Sequence, residues 1–165
     1  MKKILILAVS AFMLLTGTDV FAQFSVSGSY SKGTDSYDLT SVTLGASYNF
    51  HSVNGIGFAP GLYYSCSMDS QKEQSVNLPM MFNYGREFVK GIGGFAYAGP
   101  TLSVDTYQKN LDIKSFNASV GGGIGLVFAE HYAINAGYDF GLIDRSKDDG
   151  TLHSNKFNFG FTYIF

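Results

Sequence analysis

Phe157, Phe159, Phe161, Tyr163 and Phe165 take every second position at the end of the chain, with Asn158, Gly160, Thr162 and Ile164 between them. A period of two puts all five rings on one face of an extended strand and small or polar groups, apart from Ile164, on the other. A helix would spread the same rings around its circumference. The chain therefore contains at least one strand whose apolar face must be covered, either by a protein core or by lipid.

The same alternation recurs upstream. It predicts strands at about 24–31, 39–50, 56–66, 74–84, 92–104, 115–128, 132–142 and 156–165. Val42, Leu44, Ala46, Tyr48 and Phe50 share one face, with Ser41, Thr43, Ser47 and Asn49 on the other. Tyr132, Ile134, Ala136, Tyr138, Phe140 and Leu142 repeat the pattern against Asn135 and Asp139. Most of the chain is then strand, far above the usual 20–25% of a globular domain. A closed barrel is the architecture that allows this. In the fifth strand either phase could face outward, and Thr101 and Ser103 favour an inward set of Phe95, Tyr97, Gly99, Thr101 and Ser103.

Charge placement says what surrounds the barrel. Only Asp139 falls well inside a predicted strand; Lys114 and Lys156 mark strand starts, and the remaining charges cluster where alternation stops. A soluble barrel would scatter Lys and Glu over its outer wall. In hydrocarbon every backbone polar group must be paired within the sheet, so only a closed barrel serves, crossed by tilted strands of about 9–11 residues. The connections at 32–38, 67–73, 105–114 and 143–155 are longer than those at 51–55, 85–91 and 129–131. Long extracellular loops, short periplasmic turns and an even strand number predict both termini in the periplasm. Phe24, Phe50, Phe82, Tyr84, Phe128, Tyr132, Tyr163 and Phe165 are expected in the periplasmic aromatic band, and Tyr30, Tyr64, Phe116, Phe140 and Phe157 in the outer one.

At the front, Lys2 and Lys3 precede an apolar run from Ile4 to Leu15, and Val20-Phe21-Ala22 stands before Gln23. This is the layout of a secretory signal peptide over 1–22, too short to span a bilayer, leaving 23–165 as one barrel domain. Thr18 stands where a lipoprotein would need its cysteine, so no lipid anchor is expected. Removal of Lys2, Lys3 and Asp19 leaves nine basic and twelve acidic side chains, against 11 and 13 in the full sequence. That balance offers no basic footprint for nucleic acid. Cys66 is the single cysteine, which excludes an intramolecular disulfide.

Ala98-Gly99-Pro100, Gly137-Tyr138-Asp139-Phe140-Gly141-Leu142 and Phe161-Thr162-Tyr163-Ile164-Phe165 resemble segments of small eight-stranded outer-membrane barrels. The resemblance is to the OmpA/OmpX type and most to the porin-family barrels of Bacteroidetes, and it spans the whole mature chain. It implies an all-β, eight-stranded antiparallel up-and-down transmembrane β-barrel in the outer membrane. It also implies outer-membrane lipid and lipopolysaccharide as surroundings. Phe161, Tyr163 and Phe165 would be the C-terminal assembly signal, read by the barrel-assembly machinery after periplasmic chaperones deliver the chain. With nothing after Phe165, the peptidoglycan-binding domain of larger relatives is expected to be missing.

An eight-stranded barrel is just wide enough for side chains to fill it, so a filled lumen without an open pore is expected. An unpaired Asp139 inside would be costly. A last hairpin centred near residues 148–149 puts Asp139 opposite Asn158, with Lys156 on the diagonal, and predicts a structural Asp139–Lys156 ion pair in the lumen. Gly121-Gly122-Gly123-Ile124-Gly125 lacks the spacing, the Lys-Ser/Thr and the helix of a phosphate loop. These glycines instead make room for large inward groups such as Tyr63 or Tyr97. Pro60, Pro79 and Pro100 fall at nearly one height on neighbouring strands and predict a local irregularity or bulge. Asp144, Asp148 and Asp149 do not match a calcium loop, and Asp149-Gly150 reads as a turn.

No catalytic residue, cofactor or metal is expected. The favoured function is non-enzymatic, structural or surface contact through loops that include Tyr37 and Tyr107. The alternative is a lipid-modifying outer-membrane enzyme, with His153 as base, Ser154 or Ser70 as nucleophile and Asp69 as orienting carboxylate. A soluble periplasmic barrel binding an apolar ligand would need the two faces reversed. The membrane assignment predicts recovery in the membrane fraction and a gel mobility that shifts on boiling; clean recovery in the soluble periplasm would overturn it.

Overall fold

The computed structural model describes residues 20–34, 39–52, 55–69, 72–109, 114–146 and 152–165. Eight strands follow in order: β1 (Val20–Gly33), β2 (Thr40–Ser52), β3 (Ile56–Ser67), β4 (Lys72–Val89), β5 (Ile92–Lys109), β6 (Phe116–Phe128), β7 (Tyr132–Gly141) and β8 (Lys156–Ile164). Each pairs antiparallel with its sequence neighbours, and β1 closes on β8. The result is an all-β, eight-stranded up-and-down barrel.

Burial is inverted relative to a soluble domain. Among the described residues the buried hydrophobic side chains are Leu39 and Ala133 alone, whereas Ser25, Ser31, Ser41, Ser75, Ser103, Asn117 and Ser119 are all buried. Leu44, Leu62, Phe82 and Ile124 face outward with more than half of their surface exposed. Each such side chain would forgo about 1.5–3 kcal/mol by facing water, so this wall is built for hydrocarbon. The inward serines and asparagines satisfy one another. Asn49 Nδ2 donates to Ser25 Oγ at 3.0 Å, Asn77 Nδ2 to Ser65 Oγ at 2.8 Å, and Ser27 and Thr162 share a 2.8 Å bond. Strand β5 takes the expected phase: Tyr97, Thr101 and Ser103 line the lumen, while Leu102 and Val104 are exposed. Cys66 is exposed, sharing the outward phase of Leu62 and Tyr64.

Strand ends differ from expectation where charge was taken as the end of pairing. Strands β4 and β5 continue through Arg86↔Gly94 and Glu87↔Gly93 at one end and through Glu73↔Gln108 and Lys72↔Lys109 at the other. Charge marks the limit of the hydrocarbon there, not of the hydrogen-bond ladder. Strand β1 starts at Val20, so cleavage after Ala22 would remove Val20↔Ser52, Phe21↔His51 and Ala22↔Phe50 and leave Gln23↔Asn49 as the first rung. Residues 1–19 lie outside the described residues.

The three prolines interrupt the ladder as a group. Pairing between β3 and β4 skips from Pro60↔Met80 to Tyr63↔Asn77, and between β4 and β5 from Pro79↔Thr101 to Phe82↔Ala98. Between β2 and β3 it skips from Ser47↔Gly61 to Phe50↔Phe58. Each proline lacks an N–H, so rungs are lost while the register is kept. The register shifts lie elsewhere, at Gln74/Ser75 and Glu87/Val89.

Glycines on one strand hold aromatics from the next. Tyr63 faces Gly45 across the ladder and reaches Ser27 Oγ on β1 at 3.5 Å. Tyr97 lies over Gly123 and Gly137, and a Cβ at Gly123 would come within 2.6 Å of its hydroxyl. The short connections turn tightly: Gly55 and Gly91 have φ of 79° and 80°, as do Ala129 and Glu130 at 49° and 64°. Such left-handed backbone suits glycine and strains the two other residues.

The expectation of a filled lumen requires correction. A cavity of about 560 Å³ runs inside the barrel, lined by residues from Gln23 and Glu130 at the short-turn rim to Ser31 and Ser154 near the long-loop end. Serine and glycine dominate the inner wall, and Tyr63, Phe95 and Tyr97 are too few to occupy all the space they leave. Gly123→Val would press on the Ala136 carbonyl of β7 as well as on the Tyr97 hydroxyl and is expected to destabilise the barrel by about 1–3 kcal/mol. A lower urea midpoint in lipid vesicles would show this; an unchanged midpoint would contradict it.

Candidate functional site

Charged side chains converge where the lumen meets the long loops. The strand phase carries Ser103 and Asp105 inward on β5, and Glu73 and Ser75 inward on β4, with Ser75 directly opposite Asp105. Arg145 enters from the connection between β7 and β8 and is 1% exposed, the largest fully buried side chain among the described residues. Its Nη1 lies 3.3 Å from Glu73 Oε1, and its Nη2 donates to Asp105 Oδ2, which also accepts from Gln108 Nε2. Charge-assisted bonds of this kind are about twice as strong as neutral ones.

The backbone around Arg145 is fixed from both sides. Arg145 N donates to Leu152 O at 2.9 Å, and Lys114 N donates to Arg145 O at 2.9 Å. Lys114 Nζ donates to Asp144 O at 3.1 Å. Asp144 Oδ1 accepts the N–H groups of Leu152 and Ser146 at 2.8 and 2.9 Å. Those two amides, Leu152 first, hold the Asp144 carboxyl below the usual carboxylate range. Asp144 thus works as a loop clasp. Asp148, Asp149 and Gly150 lie outside the described residues.

Asp139 and Lys156 both line the lumen. Their register differs from expectation: Asp139 sits directly opposite Lys156, and Asn158 is the diagonal neighbour. This pairing is offset by one residue from a hairpin centred near residues 148–149. Asn158 Nδ2 donates to Asp139 Oδ2 at 2.7 Å. Lys156 also lines a small hollow with Glu73, which ties the Asp139–Lys156 rung to the Arg145 cluster.

Among the described residues considered for catalysis, no hydrogen bond joins His153, Ser154 and Asp69. His153 is exposed, while Ser154 is 2% exposed and its Oγ is buried with no hydrogen-bond partner. The Asp69 carboxylate, in the connection between β3 and β4, accepts the Thr40 N–H at the start of β2. Ser70 and Tyr37 lie outside the described residues. Among the described residues no group of three His, Cys, Asp or Glu side chains could hold a metal ion.

The three residues of the expected assembly signal line up on the outer wall. Tyr163 packs edge-on against Phe165 at 4.8 Å and against Tyr132 at 5.3 Å, and Tyr132 reaches Phe161 at 6.2 Å. Phe165 N donates to Phe24 O at 2.9 Å, pinning the end of β8 to β1. Sequence reasoning missed Arg145, Glu73 and Asp105. Asp105 was open to detection through its phase with Thr101 and Ser103, and Glu73 through its phase with Ser75 and Asn77. Arg145 sits in an irregular segment, where no periodicity points its side chain anywhere.

Solved structures with this architecture include the outer membrane enzyme PagL, at 15% identity and a TM-score of 0.62, covering 85% of this chain and 97% of that one. Neisserial surface protein A aligns at 15% identity with a TM-score of 0.63, over 89% and 99% of the two chains. The N-terminal β-barrel domain of Pseudomonas aeruginosa OprF aligns at 16% identity with a TM-score of 0.55, over 87% and 97%. At such identities the likeness extends to the fold alone. No curated protein is significantly similar in sequence. The profile of the outer membrane protein beta-barrel domain matches residues 4–165, and with an inside-out closed barrel of eight strands the chain belongs to that family.

Proposed function

We propose that this outer-membrane barrel is non-enzymatic and acts structurally or in surface contact through its long connections. The observation that carries the reading is the arrangement at His153: the neighbouring serine hydroxyl is buried without a hydrogen-bond partner, so no base activates it. Support for surface contact comes from the long-loop end, where β4 and β5 extend beyond their neighbours and Met68 and Tyr107 are exposed. The fold by itself accommodates either role. PagL is an outer membrane enzyme, whereas the attachment invasion locus protein Ail of Yersinia pestis, with a TM-score of 0.52, was solved with the heparin analogue sucrose octasulfate.

In this reading the long connections face outward and both termini face the periplasm. Lipid and lipopolysaccharide surround the wall, and the barrel-assembly machinery, supplied by periplasmic chaperones, recognises Phe161, Tyr163 and Phe165. Purified barrel in vesicles of phospholipid and lipopolysaccharide is expected to release no fatty acid by mass spectrometry. Release abolished by His153→Ala or Ser154→Ala would establish the enzymatic alternative instead. An epitope inserted in the 142–155 connection should bind antibody on intact cells, and one in the 129–131 turn should bind only after lysis. The reverse pattern would contradict the orientation.

A further inference from the structure

We infer that the lumen is a binding site for a single-chain amphiphile, its hydroxylated head toward the long loops and its hydrocarbon tail toward the short turns. The cavity of about 560 Å³ falls within the ~300–1,000 Å³ of small-molecule sites. Gly55, Gly91 and Glu130, all in short turns, are among its lining residues, so it opens at that rim. Its two halves differ in chemistry. Near the short turns Phe95, Val127, Ala133 and Ile164 form an apolar patch across four consecutive strands, β5 to β8, with the exposed Ile92 at its lip. The Phe95 ring lies over Gly125 and stands 6.0 Å from the Tyr97 ring. Toward the long loops the lining is Ser31, Ser41, Ser103, Asn117, Ser119 and Asn158.

The polar half is incomplete. Asn117 and Ser154 line it at 6% and 2% exposure, and among the described residues Asn117 Oδ1 and Ser154 Oγ have no hydrogen-bond partner. They meet at one level: Asn117 is the next inward position beyond the Ser119↔Gly141 rung, and the Ser154 backbone sits against Gly141. A buried polar atom left unpaired is costly, so this end suits a guest that brings hydroxyl groups. One hydroxyl donates to Asn117 Oδ1, and another accepts from Ser154 Oγ. The separation of the two halves sets the length of the guest. Phe95 stands opposite Gly125, and eight residues, about 26 Å of strand, lie between Gly125 and Asn117 on β6. A compact sugar reaches only the polar end and leaves the apolar patch wet, whereas a pure hydrocarbon leaves the two polar atoms unpaired. An elongated head-and-tail molecule meets both demands.

The test uses the full mature barrel carrying Phe95→Trp in phosphatidylcholine vesicles, with heat-shifted gel mobility as the check on folding. The chain has no other tryptophan, so the emission reports on the lumen and not on amphiphile dissolved in the bilayer. Octyl β-D-glucoside, below the concentration that lyses the vesicles, is expected to shift that emission to the blue and to saturate, with a midpoint below roughly 1 mM. Hexyl β-D-glucoside, two methylenes shorter, should need about tenfold more, and methyl β-D-glucoside should give no shift. Asn117→Ala combined with Ser154→Ala should raise the octyl glucoside midpoint about tenfold. Ser29→Phe, which fills the lumen between the two halves, should abolish the response, and it decides the matter if the double variant fails to fold. No saturable shift with octyl glucoside would overturn the inference. Equal midpoints for the hexyl and octyl compounds would overturn it too, as would a response unchanged by Ser29→Phe, which would mean that the amphiphile acts from outside the lumen.

Discussion

Everything in this molecule follows from the requirement that a backbone crossing hydrocarbon must pair all its N–H and C=O groups internally. A strand alone cannot meet it and an open sheet leaves two edges, so β1 must find β8. The pairing from Ser25↔Ile164 to Gly33↔Lys156 is that closure, extended by the bond from Phe165 N to Phe24 O. Once the ladder is closed, the two-residue period divides the chain into a lipid face and a lumen face. The choice of side chains then follows position by position. Where prolines remove donors, the rungs are lost together at one height, and the barrel absorbs the defect without changing register.

The closed wall also determines where chemistry can be placed. Outward positions are occupied by rings and aliphatic groups, leaving two places for charge: the lumen and the connections. The lumen accepts charge only with partners, and the cluster of Glu73, Asp105, Asp139, Arg145 and Lys156 supplies them from four strands and one connection. Small inward residues serve a different end. Glycines at positions 45, 123 and 137 allow Tyr63 and Tyr97 to lie along the inner wall, and the small residues around them leave a cavity.

The fold was legible because it is written in a short-range pattern. Alternation placed all eight strands, and the polar phase of Thr101 and Ser103 identified the lumen face of β5. The absence of charge within strands announced the surrounding lipid. Ladder extensions at Arg86–Glu87 and Lys72–Glu73 were missed because pairing can outlast the bilayer. The site was only partly legible. Asp139 and Lys156 could be assigned to the lumen from phase, yet their register depended on a hairpin centre that no period encodes. Arg145 was invisible for the same reason: its place is fixed by Leu152, Lys114 and two distant carboxylates. The lumen was expected to be full from strand number alone, whereas its volume depends on which small residues line it.

The central claim is the inversion of the two faces, and the absence of tryptophan from the sequence makes it directly measurable. Single-tryptophan variants can be folded into vesicles whose acyl chains carry bromine, and their fluorescence recorded. Leu44→Trp and Leu62→Trp should be strongly quenched, while Tyr63→Trp, adjacent in sequence to Leu62 but turned to the lumen, should not be. Quenching of Tyr63→Trp with Leu44→Trp and Leu62→Trp left bright would contradict the account.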